Sequence, residues 1–375
     1  MLEYESKELF RKHGILVPKN ALISKKTNIE LELKNFKFPA MLKAQVPIAS
    51  RKKAGLIRKV YSLEEVSTIA KQFLFKRVNG HYVEDILIEE LIEIKQELYC
   101  SIILDTFERK FYLMASSLGG IDIEEMALTK PEVIKKISFT LSEGLTLEKV
   151  KFLVSSLNLQ ENIKEELQDL FIKLWNLTLK LEATLVEINP LAITSFGLIA
   201  LDAKVIIDDD ASFRNNFIRN LLEKKMTSLE KIAKEYGFSF VEFEGYIGIL
   251  ANGAGLTMAI IDELAKHDLK AANFLDVGGG ANQERIYKAL EVLFQMRPRC
   301  IFINIFGGIT RCDIVAKAVI KAISDFNKIP PLIIRLAGTN DKEGISLLQK
   351  ANIDAFQRVQ DAITKIKEIM IKKEG

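Results

Sequence analysis

The chain has 375 residues, more than one hydrophobic core comfortably carries, so two or three domains are expected. Apolar residues make up 48% and charged residues 27%, and 53 Lys and Arg against 50 Asp and Glu leave a net charge of +3; that balance argues against a dedicated nucleic-acid binder. Three cysteines without paired ligand spacing (Cys100, Cys300, Cys312), an opening MLEYESKELF without an apolar signal region, and no apolar run of membrane length read as cytoplasmic, with no disulfide framework and no membrane span.

In chain order, Leu2 to Lys12 has helical spacing and stops at His13-Gly14. Pro39 to Val46 is a short apolar strand, followed by a basic loop (Arg51, Lys52, Lys53) and a strand from Leu56 to Val60. The three basic residues also suit a solvated turn. Ser62 caps a helix with Glu64 and Glu65 in its first turn, where carboxylates favour the helix dipole. Asp85 to Glu90, Leu98 to Asp105 and Lys110 to Ser116 read as antiparallel strands, and Leu147 to Leu181 as two helices broken near Asn158. Residues 211–240 are polar and helical, with no strand signal.

Beyond that segment the pattern changes. Four times the chain writes an apolar strand, a Gly-containing turn and a helix, with turns at Asn252–Gly255, Gly278–Ala281, Gly307-Gly308 and Ala337–Asn340. Strands alternating with helices predict a parallel, doubly wound sheet, which binds ligands at the carboxyl ends of its strands, where these turns fall. Backbone N–H groups at helix starts approached through glycine suit a phosphate or carboxylate.

Thr184 to Ile193 and Gly197 to Lys204 read as a hairpin with its turn at Thr194–Gly197. A turn centred between Ser195 and Phe196 puts Asn189 opposite Asp202, and Glu187 shares Asn189's face because strands have a period of two. Three oxygen-bearing side chains then converge, a set that suits Mg²⁺ bound to substrate phosphates. The same alternation also suits a hairpin whose polar residues cover a solvent face, and Pro190 points to an edge strand or an interruption. Lys43 ends one apolar run and Glu89 follows another; a strand-end lysine meets phosphate as a compact charge or simply faces water.

Several blocks resemble the succinate–CoA ligase β-subunit family: Glu3-Tyr-Glu-Ser-Lys-Glu-Leu-Phe10, Val186-Glu-Ile-Asn-Pro-Leu191, Leu201-Asp-Ala-Lys204, Asn252-Gly-Ala-Gly-Leu256, Asn273 through Ala281 and Asn304 through Asp313. The resemblance is collinear over essentially the whole chain. It implies an N-terminal ATP-grasp fold over residues 1–240, including a connecting helical segment about 211–240, then a flavodoxin-like CoA-ligase domain over 241–375. It assigns nucleotide contacts to Lys43, Ser50, Arg51, Lys52, Glu89, Ile92 and Glu97, and Mg²⁺ to Asn189 and Asp202. Substrate contacts shared with a partner subunit match Asn252, Gly308, Ile309 and Thr310, and Glu187 matches a catalytic carboxylate that holds a visiting phosphohistidine. One departure stands out: where the family has a glycine-rich loop, this chain has Pro47-Ile-Ala-Ser-Arg-Lys-Lys-Ala-Gly-Leu56, stiffer and more basic.

The implied reaction joins an acid to CoA at the expense of ATP (or GTP), through an acyl phosphate and a phosphorylated histidine. The only histidines are His13 in a helix-ending turn, His81 in a loop beside Gly80 and His267 at a helix end; none lies in a Gly-rich nucleophile turn and each reads as a surface residue, so the nucleophile and the CoA site are expected on an α subunit, in a heterodimer or heterotetramer. Malate–CoA and citrate–CoA ligase subunits share these motifs, since acid choice rests on a few pocket contacts. A nucleotide-inactive scaffolding homologue is a further reading. A stand-alone carboxylate–amine ligase does not account for the C-terminal βα repeats.

Overall fold

Charged and apolar residues three and four apart build the first helix, α1 (Glu3–Lys12), whose buried face carries Glu3, Ser6, Lys7, Leu9 and Phe10. The structure, a computed structural model, describes residues 1–48, 51, 53–120 and 123–374. Its internal contacts divide it into Met1–Asn220 and Leu221–Gly375.

In the first unit, β1 (Asn20–Ser24) and the short α2 (Ile29–Glu32) lead to β2 (Ala40–Gln45), β3 (Ile57–Val60) and α3 (Leu63–Phe73). Ser62 caps α3 by accepting the Glu65 N–H at 3.3 Å, as its sequence position predicts. After a small ribbon of β4 (Arg77–Val78) and β5 (His81–Tyr82), β6 (Asp85–Glu90) returns between β1 and β2, giving the antiparallel order β1-β6-β2-β3. Inner strands β2 and β6 are buried along most of their length, which is why both read as apolar runs.

A second antiparallel sheet takes β7 (Gln96–Asp105) and β8 (Lys110–Ser116), then, after α4 (Ile123–Thr129), β9 (Lys135–Phe139). Helices α5 (Leu147–Ser155) and α6 (Glu161–Leu181) break where the sequence predicts, and bury Leu153, Leu167, Phe171 and Leu174 in one core with Ile102, Leu113 and Val186. Trp175 stands edge-on to Phe111 and Phe139, with ring centroids 5.0 Å away in each case. The sheet is completed by β10 (Ala183–Thr194), β11 (Gly197–Ala200) and β12 (Lys204–Ile207), with β10 between β7 and the β11–β12 side. Pro190 is therefore not on an edge strand. It sits at an interruption, where the β10–β7 register shifts between Ile188 and Leu191.

Helix α7 (Asn216–Lys225) spans the division between the units. The second unit continues with α8 (Ser228–Glu235) and β13 (Ser239–Glu242), followed by β14 (Ile247–Ala251), α9 (Ala254–Ala265), β15 (Asn273–Asp276) and α10 (Gln283–Met296). Next come β16 (Cys300–Gly307), α11 (Cys312–Asp325), β17 (Leu332–Gly338), α12 (Asp341–Lys350), β18 (Ala355–Phe356) and α13 (Val359–Glu374). The strand order is β13-β15-β14-β16-β17-β18, parallel except for β13, which runs antiparallel to β15. Strand residues alternate between two cores: Leu250, Ile303 and Ile334 pack with α10 and α11, while Ile249, Phe302 and Ile333 pack with α9 and α13. The sheet is doubly wound, as the four repeats predict.

One expectation is corrected: residues 239–240 lie in β13, within the segment read as helical without a strand. Helix α8 packs against β13 and α10 through Ala233, which ties residues 228–242 to the second unit.

Candidate functional site

The first unit gathers six charged side chains. From α1 come Glu3 and Lys7, one turn apart on the buried face. From β2 comes Lys43 and from β6 Glu89; Lys43 pairs with Leu87, so Glu89, two residues on, projects from the same face of the sheet. Arg51 and Asp202 complete the set. Lys43 Nζ lies 2.8 Å from Glu3 and 2.7 Å from Glu89, and Lys7 Nζ lies 2.6 and 2.5 Å from the same two carboxylates. Arg51 contacts Glu3 Oε2 at 2.6 Å and Asp202 at 3.1 Å. Lys43 is thus enclosed, at 8% exposure, instead of solvated at a strand end.

Burial opposes every charge in this cluster, and the partners decide the outcome. Burial acts most strongly on Glu3, yet Lys43, Lys7 and Arg51 together hold its carboxyl well below the usual value. Burial likewise works against the Lys43 ammonium, but Glu3, Glu89 and Asp202 raise its pKa. Lys7 is lowered, by burial first and then by Lys43. Burial and Glu3 raise Asp202 despite Arg51.

Asn189 and Asp202 stand where the hairpin register puts them. Leu191 pairs with Ala200 and Glu187 with Lys204, and the Leu201 N–H donates to the Pro190 carbonyl at 3.0 Å, so Asn189 and Asp202 face the gap between β11 and β12. The Asn189–Pro190 peptide is cis. Asn189 Oδ1 accepts the Gly120 N–H at 2.8 Å, while Asp202 holds Arg51 and the Ala203 N–H. One amide oxygen and one carboxylate fit a hard cation that takes its remaining ligands from phosphate and water. Among the described residues no three His, Cys, Asp or Glu side chains cluster to hold a metal by themselves. Glu187 lies beside Ser101 in register, and its charge adds to burial in raising the Tyr99 and Cys100 pKa values.

Glu97 lines an open groove of about 470 Å³ with Ile94, Lys95, Gln96, Ser117, Leu118 and Gly119. Its carboxylate presses on Gly120 so closely that a Cβ there would lie 2.0 Å from Oε2. Ile92 is half-buried on the segment leading into this groove. Lys43, Arg51, Glu89 and Asp202 therefore meet in one cluster, and Glu97 belongs to the neighbouring groove. Ser50 and Lys52 lie outside the described residues. Arg51 turns inward, whereas Lys53 is exposed. Glu3 and Lys7 were not singled out from sequence, although their i, i+4 spacing shares a helix face with Phe10.

In the second unit side chains lock the Gly turns together. Asn252 donates to the Phe306 carbonyl at 2.9 Å and accepts the Phe306 N–H at 3.0 Å. Thr310, 1% exposed, accepts the Gly280 N–H at 2.9 Å, while Gly308 and Ile309 beside it are exposed. Asp276 accepts the N–H groups of Gly253 and Gly278, and Thr339 donates to the Gly308 carbonyl at 2.9 Å; sequence reading missed both. Thr310 is thus a brace, and the accessible part of the turn is Gly308-Ile309. His81 is exposed, His267 Nδ1 lies 3.1 Å from Lys367 Nζ, and His13 is half-buried with Nε2 enclosed, so His13 is not the surface residue expected. No helix among the described residues is long and apolar enough to cross a membrane.

The first 193 residues match the ATP-grasp domain family, and residues 250–368 match the CoA-ligase family. That pairing defines the class, a ligase that couples nucleotide use to thioester formation. The chain is 37% identical over 363 residues to the succinate–CoA ligase [ADP-forming] subunit beta of Ignicoccus hospitalis, covering 96% of each chain. It is 38% identical over 350 residues to the subunit beta 2 of Archaeoglobus fulgidus, covering 93% of this chain and 92% of that one. The chain belongs to the succinate–CoA ligase β-subunit family. The solved ATP citrate lyase of Methanothrix soehngenii, 18% identical, matches 95% of this chain and 94% of its own with a TM-score of 0.71, a likeness of fold.

Proposed function

We propose that this chain is the nucleotide-binding subunit of an ADP-forming succinate–CoA ligase, which converts ATP, succinate and CoA to ADP, phosphate and succinyl-CoA together with an α subunit. The observation that carries the reading is the cluster in which Lys43 and Arg51 share Glu3, Arg51 reaches Asp202 and Lys43 reaches the preceding Leu201 carbonyl, together with the groove lined by Glu97. Lys43 and Arg51 supply positive charge to the phosphates, and Glu97 and Ile92 flank the rest of the nucleotide. Asn189 and Asp202 would hold magnesium, which when bound neutralises phosphate oxygens.

The α subunit supplies the phosphorylated histidine and the CoA site, because none of His13, His81 and His267 sits at one of the Gly turns that follow the strands of the second unit. Glu187 accepts the N–H of that imidazole and so orients its other nitrogen toward the γ-phosphate. The exposed Gly308-Ile309 turn and Asn252 form this chain's share of the acid site. A cytoplasmic location suits three free, buried cysteines.

Purified alone, the chain should show no detectable turnover, and adding the α subunit should restore it with succinate in preference to malate or citrate. CoA consumption with each acid reads this directly. Turnover by the chain alone overturns the two-subunit reading, and preference for another acid overturns the substrate.

A further inference from the structure

Arg51 has two carboxylate partners among the described residues: it hydrogen-bonds Asp202, and it forms a closer ion pair with Glu3 that lacks hydrogen-bond alignment. Its Nη1 lies 2.6 Å from Glu3 Oε2, whereas Nη2 lies 3.1 and 3.2 Å from the two oxygens of Asp202. The side chain of Glu3 is 1% exposed and that of Asp202 is 35% exposed, so the closer partner is also the more enclosed one.

Glu3 divides its oxygens between tasks. Oε1 takes Lys7 at 2.6 Å and Lys43 at 2.8 Å, which leaves Oε2 to face the guanidinium. Arg51 Nη2 lies against both oxygens of Asp202, at 3.1 and 3.2 Å, so a divalent cation that takes this carboxylate competes with the guanidinium for the same oxygens. Arg51 must swing off, and a buried guanidinium leaves one anion readily only if a second is already in contact. Glu3 is that second anion.

Resting on the assignment of Asp202 as cation ligand, we propose that Glu3 is a positioning residue: it anchors Arg51 so that Asp202 can exchange the guanidinium for a divalent cation. Without Glu3, Arg51 has Asp202 as its remaining carboxylate partner among the described residues, and competes there with the metal. The anchored Arg51 stays close enough to meet phosphate. Glu3 itself touches neither ligand.

The test is Mn²⁺ binding by the full-length chain, counted as free Mn²⁺ by electron paramagnetic resonance with ADP held above saturation. Glu3→Gln should weaken Mn²⁺ binding about tenfold in the parent and less than about twofold in an Arg51→Met background, the size expected for loss of one enclosed ion pair. A purely structural role for Glu3 gives the same loss in both backgrounds and overturns the inference, as does no loss in either. If Glu3→Gln does not fold, Glu3→Asp replaces it, with about threefold weakening that Arg51→Met abolishes; equal effects in both backgrounds overturn the inference there too. Asp202→Asn separates the two levels. Parent-like Mn²⁺ binding in that variant removes the cation ligand and the inference with it, whereas lost binding together with a background-independent Glu3 effect overturns the inference alone.

Discussion

Lys7 and Lys43 reach the same backbone oxygen: each Nζ lies 2.7 Å from the Leu201 carbonyl, and each also contacts Glu3 Oε1 and one oxygen of Glu89. Leu201 immediately precedes Asp202, so helix α1 and strand β2 together fix the backbone that carries the proposed cation ligand. Lys7→Met leaves two buried carboxylates short of one cation. It should destabilise the first unit by about 3–5 kcal/mol, the cost of breaking one side of a buried ion pair. The chain has one tryptophan, Trp175, packed in that unit's core, so its emission during urea unfolding reads the first unit alone. An unchanged midpoint would show that Lys43 suffices for both carboxylates.

Acid should unfold this unit through Glu3. Burial alone would raise its carboxyl, but the three cations hold it well below the ordinary glutamate value of 4.5, so the native state binds the proton more weakly than the unfolded chain does. The resulting stability is fully present above pH 4.5 and is lost as pH falls from there through the depressed folded value. Asp202, raised by burial and Glu3, acts with the opposite sign and blunts the slope. Trp175-monitored unfolding at stepped pH below 5 should show falling stability in the parent and a flatter profile in Glu3→Gln. Parallel profiles would mean that other carboxylates set the acid limit.

The hairpin register was legible because turn length and alternation fix which residues oppose one another, and Asn189 and Asp202 needed nothing more. The βα repeats were legible for a related reason: strands such as β14 and β16, buried on both faces, have to be apolar throughout, and Gly turns punctuate them. Glu3 and Lys7 were not. Written as an i, i+4 pair they look like a solvated helix face, and only Lys43, Glu89 and Leu201, distant in the chain, make that face an interior one. Strand β13 escaped notice because a short edge strand with alternating exposure, Ser239 and Val241 outward, carries little apolar signal. The helical segment before it is amphipathic, and composition does not say which unit its apolar side meets.

Glu187 offers a separate handle on turnover. Its carboxylate can orient an imidazole, and the amide of Glu187→Gln can no longer stabilise the charged ring. Turnover of the two-subunit enzyme should fall about 10²-fold, the usual scale for removing a group that assists proton or phosphoryl transfer through histidine. ADP binding to the isolated chain, measured by calorimetry, should stay within about twofold, because the role proposed for Glu187 is toward the partner's histidine rather than the nucleotide. A matching loss of ADP affinity would instead place Glu187 in the nucleotide site.

The two Gly turns at the ends of β16 and β17 touch backbone to backbone, and this contact predicts an asymmetry among glycines. Gly338 has a φ of +100°, and a Cβ on it would lie 2.1 Å from the Gly307 carbonyl oxygen. Alanine there combines a strained backbone with a clash against an atom that the Thr339 N–H already holds at 2.9 Å. Gly338→Ala should destabilise the second unit by about 2–5 kcal/mol. Gly279 has open space where a Cβ would go and no left-handed φ, so Gly279→Ala should change stability by less than about 0.5 kcal/mol. Trp175 emission does not report on this unit, so circular dichroism during thermal unfolding is the appropriate measurement, and only the transition that Trp175 does not follow should move. Equal effects from both substitutions would mean that glycine content, rather than the close approach of the two turns, sets the stability of this end of the sheet.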